Sequence, residues 1–299
     1  MAEAVITGKS ILARSLGWLA GALEFLRRWP VIPIIVLTGL VVVALAAPLL
    51  TDKDPRRGNV LDRHIPPSWT AEGASANILG TDHVGRDVFS RVVFGARVSL
   101  MVAAISLSSG FIVGTTVATI SGFLGGFVDE IIMRIVDIWN SIPFLMVALV
   151  LVIVLGQSMT TLLGLLAMMA WVQFVRIIRG QTLQLKEMDY IELARVAGAS
   201  RVRIMFRHIF PGVVNTAVVI ATLNVGQLIM SEATLSFLGA GIPPPTPAWG
   251  VMVGEARKYL DEAWWTSVFP GACIFLTVMS LNFLGDWMRD RFDPRLRQL

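Results

Sequence analysis

The sequence predicts an all-α protein that crosses a membrane about six times, and three observations carry that prediction. Hydrophobic residues make up 55% of the 299-residue chain and charged residues only 15%, against roughly 45–50% and about 25% in soluble domains. The apolar residues gather into runs of the length, about 20 helical residues, needed to cross a hydrocarbon layer about 30 Å thick. The charges fall between these runs, so the apolar surface is accounted for by contact with lipid.

The first run, 31–50, follows Arg27 and Arg28 and contains Ala44-Leu45-Ala46, features that a cleaved secretory signal shares. The length of chain ahead of it and the further runs behind it favour an uncleaved first span. Upstream, residues 11–26 mix apolar side chains with Arg14 and Glu24, the pattern of a helix lying on the inner membrane surface. The later spans read as 99–120, 131–155, 162–178, 213–237 and 266–288.

Orientation follows from basic residues in short connecting segments, which mark the cytoplasmic side. Lys9, Arg14, Arg27 and Arg28 precede the first span, and Arg179, Lys186, Arg195, Arg201, Arg203 and Arg207 lie between the fourth and fifth. Arg289, Arg291, Arg295 and Arg297 follow the last. Six spans place all three groups on one side, with both termini cytoplasmic. The segment 51–97 holds arginines yet falls outside; its acids offset them, and longer loops follow the rule less strictly.

Common catalytic signatures are missing. Gly8-Lys9-Ser10 resembles the end of a phosphate-binding loop, but Glu3 stands where its first glycine belongs. The sequence has no His-Glu-x-x-His, Gly-x-Ser-x-Gly or Cys-x-x-Cys pattern. Cys273 is the single cysteine, so no internal disulfide forms, and His64, His83 and His208 are too scattered for a metal site. A net charge of +4, spread over short segments, does not suit nucleic acid. No cofactor is expected on this chain, and ATP chemistry belongs to a partner.

Between the fourth and fifth spans, residues 187–211 read as a helix, a turn centred on Gly198 and a second helix stopped by Pro211. Ile191, Ala194 and Val196 form an apolar stripe while Glu192 and Arg195 stay polar. So short an amphipathic helix needs lipid or a partner groove to bury its stripe. Within the fifth span Asn224, Gln227 and Ser231 recur at helical spacing, with Glu232 close by at the watery outer end. Polar groups in a span face water or the bundle interior, so this face is expected to line a route; hydrogen bonding between helices is the alternative. Arg134 and Asp137 are expected to pair. In residues 80–91, Asp82 and Asp87 are expected to cap helix amides and pair with Arg86, contact with a delivery protein being the alternative. Residues 243–247 read as a rigid proline turn, and Trp249, Trp264 and Trp265 as an interfacial aromatic belt.

The 187–211 segment resembles the EAA loop of membrane subunits of binding-protein-dependent ABC importers. It matches at Glu192, Ala194, Gly198 and Pro211 and departs at Leu193, His208 and Phe210. Residues 80–91 with 95–100 resemble a segment of the C-type membrane subunit of dipeptide, oligopeptide and nickel importers, and residues 122–126, 235–239 and 243–250 agree with it in order. The resemblance implies a type I ABC importer transmembrane fold. Residues 1–95 would hold the N-terminal segment, first span and outer loop. Residues 96–290 would form the transmembrane domain, with a coupling loop at about 180–212, and residues 291–299 a cytoplasmic tail. It further implies that Glu192, Ala194, Gly198, Ala199 and Pro211 couple the chain to an ATPase. The implied partners are a second homologous permease, two ATP-binding subunits holding ATP and Mg, and an extracytoplasmic substrate-binding protein, in a bacterial inner membrane. The implied role is non-enzymatic passage of di- or oligopeptides, with nickel, glutathione or opines as alternatives. The scarcity of His and Cys along the spans favours an organic cargo. A secondary transporter or membrane enzyme is the remaining class; the chain shows neither an evident inverted repeat nor a catalytic set.

Overall fold

In hydrocarbon a backbone can hydrogen-bond only with itself, so apolar runs that enter a bilayer fold as helices. The computed structural model describes residues 30–292; the surface helix expected at 11–26 and the basic Arg295 and Arg297 lie outside them. In chain order the helices are α1 (Val31–Leu45, continued by a turn at Ala47–Leu50), α2 (Val88–Leu124), α3 (Gly126–Ser141), α4 (Phe144–Leu155) and α5 (Met159–Lys186). Then follow α6 (Asp189–Val196), α7 (Arg201–Ile204), α8 (Phe210–Phe237), α9 (Trp249–Ala256) and α10 (Trp265–Phe292). Among the described residues there is no β-strand.

Four helical stretches are long and apolar enough to cross a membrane alone: α2, α5, Arg201–Phe237 and Trp265–Arg291. The expected third span is not straight. It is the pair α3 and α4, bent by 85°, because Pro143 has no N–H to continue a helix and holds Ile142 extended, at φ −99° and ψ 127°. The first span is also shorter than expected, since α1 has 15 residues, about 22 Å of helix. By contrast α2 begins at Val88, ahead of the expected 99, and its 37 residues reach about 55 Å, well beyond a hydrocarbon core. The division expected at residue 95 falls inside this helix.

The bundle is organised on α2 and α5. A Cβ added at Gly110 would stand 2.4 Å from the Ala170 Cβ, and one at Gly114 would stand 2.4 Å from the Trp171 carbonyl oxygen. Small residues here let two backbones approach as closely as membrane helices do. Phe111 meets Phe174 edge-on at 5.8 Å, and Phe174, Val175 and Ile178 are fully buried beside Val213 and Ala217 of α8. The α10 helix lies against α8, where Gly226 faces Asn282 and Gly285 faces Leu223.

At the end where α2 begins, buried charges tie the loop to α9. The Asp82 carboxylate accepts from Arg86 Nε at 2.6 Å and Arg91 Nη1 at 2.7 Å, while Glu255 accepts from the same two guanidiniums at 2.8 and 2.9 Å. Arg91 is 1% exposed. Asp87 caps α2 by accepting from the Ser90 amide at 2.9 Å, as its position suggested, but its ion partner is Lys53 at 3.0 Å and not Arg86. Burial pushes the Glu255 carboxyl above its ordinary range, and the Arg86 guanidinium pulls it back.

Two sequence expectations are corrected here. Trp249 and Trp265 are buried, and their indoles donate to the carbonyls of Val92 at 3.0 Å and Thr81 at 3.1 Å; only Trp264 is exposed as an interfacial ring would be. Buried indoles need an acceptor, and these loop carbonyls supply it. Arg134 does not pair with Asp137: it stands 3.8 Å from Glu130, and Asp137 takes Arg176 of α5 at 2.6 Å.

Glu255→Leu would leave two buried guanidiniums short of an acceptor, a loss of about 3–5 kcal/mol for a buried pair. Thermal unfolding of the purified protein in detergent should show a large fall for Glu255→Leu and almost none for Asp54→Ala, whose partner Arg57 is exposed.

Candidate functional site

The loop between α5 and α8 is built by local rules. Asp189 and Glu192 sit in the first turn of α6 and Arg195 in the last, each favoured by the helix dipole, and Arg195 Nη1 donates to Glu192 at 2.5 Å. The helix closes with two crossing bonds, Gly198 N–H to Arg195 O and Ala199 N–H to Ala194 O, both 3.0 Å. This pattern puts the residue after the C-cap in the left-handed region, and Gly198 has φ +81°. Nothing lies within 4 Å of a Cβ added there, so the backbone requires glycine and the surroundings do not. The Ser200 hydroxyl then accepts from the Arg203 amide and starts α7.

The expected apolar stripe of α6 divides between two faces. Ile191 is fully buried against Ile204, Ile209 and Val213, with Ala194 and Ala199 packed beside it. Val196, 86% exposed, instead joins Leu193, 69% exposed, and Tyr190 on the outward side. One face thus anchors α6 to its own bundle, and the other presents apolar side chains to whatever docks there. Val202 and Phe206, farther along the loop, are exposed as well.

Pro211 does not stop the second helix. It occupies the first turn of α8, where a missing N–H is tolerated. The chain runs helically from Arg201 to Phe237 through a π-helical turn, Met205–Ile209, in which the Phe210 N–H reaches back to Met205 O.

On α8 the four expected pathway residues have different settings. Asn224 is half-buried and donates to Ile220 O at 2.8 Å, while Gln227 is exposed. Ser231 is buried and donates to Gln227 O at 2.8 Å. Glu232, expected near water, is 2% exposed and accepts from Ser236 at 2.8 Å and from Ser99 of α2 at 3.4 Å. Its position on α8 turns it into the α2 contact, Ser231 bonds back to its own helix, and of the four only Gln227 with part of Asn224 reaches the surface.

Sequence reasoning missed the clamp beside the loop. Asp129 of α3 accepts both Arg179 Nε and Nη2 at 2.5 Å and the Ser121 hydroxyl at 2.5 Å, joining α2, α3 and α5. The forked guanidinium matches the carboxylate with two parallel bonds. An acid in the first turn of α3 was the only signal. At the other end, Asp82, His83 and Glu255 bring ligand atoms within 4.8 Å of one another, but both carboxylates are already engaged by Arg86 and Arg91.

Residues 110–298 match the family described as Binding-protein-dependent transport system inner membrane component. The chain is 42% identical over 224 residues to the glutathione transport system permease protein GsiD of Pectobacterium atrosepticum, covering 75% of this chain and 74% of that protein. It is 37% identical over 268 residues to the dipeptide transport system permease protein DppC of Alkalihalophilus pseudofirmus, covering 89% and 86%. A chain of the MetNI methionine ABC transporter, solved in inward facing conformations, shares the fold with a TM-score of 0.54 at 20% identity, covering 66% of this chain and 93% of that one.

Glu232→Gln keeps an acceptor for one of the Ser99 and Ser236 hydroxyls and offers the other an N–H to accept, whereas Glu232→Leu leaves buried hydroxyls unpaired, at about 1–3 kcal/mol. Melting of the purified protein in detergent should be nearly unchanged by the first substitution and clearly lowered by the second.

Proposed function

Because the chain belongs to the family of binding-protein-dependent transport system inner membrane components, we propose that it is the subunit that conducts short peptides through an ATP-driven importer. It is a multi-pass inner-membrane protein, and its relatives named for dipeptide and glutathione transport support this cargo, glutathione being itself a tripeptide. In this reading it pairs with a second, similar permease. Two ATP-binding subunits dock beneath and hold ATP and Mg, an extracytoplasmic binding protein delivers the peptide, and both termini are cytoplasmic. This chain contributes no ATPase site of its own.

The observation that carries the reading is the two-faced α6. Leu193 and Val196 point outward from a helix whose other side, through Ile191, is fixed to the membrane bundle. A partner that grips the outward face therefore moves the bundle with it. Glu192 and Ala194 set the two sides of this helix, and Gly198 and Ala199 close it. Pro211 begins the membrane helix that receives the motion. As the ATPases close and reopen, α6 is displaced, and the displacement passes through α7 into α8, because Arg201–Phe237 is one helical stretch. The peptide route runs along the α8 side that carries Asn224 and Gln227, with Ser231 bonded within its own helix and Glu232 holding that helix against α2 from behind.

Two measurements test this function. In a strain lacking the chain and any redundant importer, labelled di- and tripeptide uptake should return with the wild-type gene; return of nickel uptake alone would overturn the peptide cargo. Gly198→Val forces a β-branched residue into the left-handed region, at about 1–2 kcal/mol. It should abolish uptake at normal membrane levels, while Gly198→Asn, which tolerates that region, should retain most of it. Full uptake by Gly198→Val would remove the coupling role of the loop. Leu193→Asp should weaken recovery of the ATP-binding subunits in a pull-down of the assembled importer, with the chain still inserted.

A further inference from the structure

The α5 helix runs almost without a break into the loop it feeds. Only Glu187 and Met188 separate it from α6, and backbone bonds close the junction: Met188 N–H donates to Leu185 O at 3.1 Å and Ile191 N–H to Met188 O at 2.9 Å. A displacement of α6 therefore reaches α5 as directly as it reaches α7 and α8. Arg179, the cation of the clamp, stands about 10 Å along the axis from this end of α5.

The carboxylate of the clamp follows a joint. The chain passes from α2 to α3 through Gly125 and Gly126, at φ +67° and +55°, a conformation that glycine adopts freely and other residues resist. Among the described residues, a Cβ added at Gly126 would meet nothing within 4 Å, and one at Gly125 would meet only the Lys186 Nζ, at 3.9 Å. Packing at these two residues leaves the direction of α3 open, and Asp129 sets it. From the first turn of α3 it accepts from Ser121 of α2 and from two nitrogens of Arg179 of α5, each at 2.5 Å. The carboxylate is 15% exposed and the guanidinium 29%, and two parallel charged bonds fix an angle as well as a distance. The second pair between these helices, Asp137 with Arg176, is more than half exposed on both sides, and exposed pairs contribute little.

We propose that Asp129 and Arg179 are positioning residues of the transport cycle: they latch α3 to α5, so the displacement of α6 is carried into α3 and α4 instead of being absorbed at the Gly125–Gly126 joint. The inference rests on the coupling role proposed above for the loop and adds a second arm to it. One arm runs from α6 through α7 into α8. The other runs back through α5 and the clamp to the bent pair α3 and α4.

The test uses the assembled importer in phospholipid bilayers. With Cys273→Ser removing the only cysteine, spin labels are placed through Glu130→Cys on α3 and Gln184→Cys on α5, both exposed. Their separation is read without nucleotide and with ATP and vanadate. With Arg179 present it should be the same in both states, because α3 follows α5. With Arg179→Gln it should differ between the states by about 2 Å, the scale of helix shifts in switching proteins. A nucleotide-dependent separation with Arg179 present would overturn the inference, and so would a constant one with Arg179→Gln.

Transport gives a second readout. Arg179→Gln at normal membrane levels should lower peptide uptake about tenfold, the size of a typical coupling between two sites, while ATP hydrolysis by the assembled importer stays near the wild-type rate. Arg179→Lys, which keeps a charged bond to Asp129, should retain most uptake, and so should Arg176→Gln. A fall of uptake and hydrolysis in the same proportion would reduce the clamp to a folding contact and overturn the inference, as would full uptake with Arg179→Gln. Where Arg179→Gln fails to insert, Asp129→Asn takes its place in both readouts. If the wild-type importer takes up no peptide, the proposed function fails; the label separations need only ATP and vanadate and still decide the latch.

Discussion

Two arginines and two carboxylates closed into the loop-rich end of the bundle set the frame for the rest of the molecule. Arg86 and Glu255 are 169 residues apart in sequence and 2.8 Å apart in space. Asp82, Arg86 and Arg91 are buried and Glu255 is half-buried, and a buried charge is costly without a hydrogen-bonded partner of opposite sign. The box therefore forms only when the loop, the start of α2 and α9 arrive together. It fixes one end of the long α2 and, through the Trp249 and Trp265 indoles, the start of α10 as well. At the opposite end, where α6 and the π turn lie, the ion pairs among the described residues that join different helices of the bundle are Asp129–Arg179 and the more exposed Asp137–Arg176.

The broad architecture was legible because lipid simplifies the code. Long apolar runs have one viable backbone conformation in hydrocarbon, so α2, α5, α8 and α10 could be placed from hydropathy alone. Helix ends and angles were less legible, since they depend on single residues acting on the backbone. Pro143 bends the third segment, while Pro211, placed by the sequence as a stop, sits in a first turn and interrupts nothing. Long-range pairing was illegible. Asp82 and Arg86 lie four apart and could be read as neighbours, but nothing marks Glu255 as their third member. Arg134 and Asp137 show the converse, being three apart in sequence and bound elsewhere.

The candidate site was legible to the same degree. Gly198 was correctly expected to allow a left-handed turn, and the structure adds that no neighbouring atom restricts it. The division of α6 into an anchored and a free face was beyond the sequence, because Ala194 and Val196 are both apolar and only three-dimensional packing separates them. Glu232 makes the same point for charge. In a list of span residues it reads as part of a wet surface, whereas its angular position on α8 turns it toward Ser99 and out of contact with solvent.

The π turn at Met205–Ile209 is, in geometric terms, a phase offset. An α-helix turns about 100° and climbs 1.5 Å per residue, so one extra residue in a turn rotates everything before it about the axis of everything after it. The outward direction of Leu193 and Val196 relative to α8 is thus fixed by a count of residues in this turn as much as by the contacts of Ile191. Related chains that keep the same loop but lose that single extra residue would present the loop from a different side of the same membrane helix.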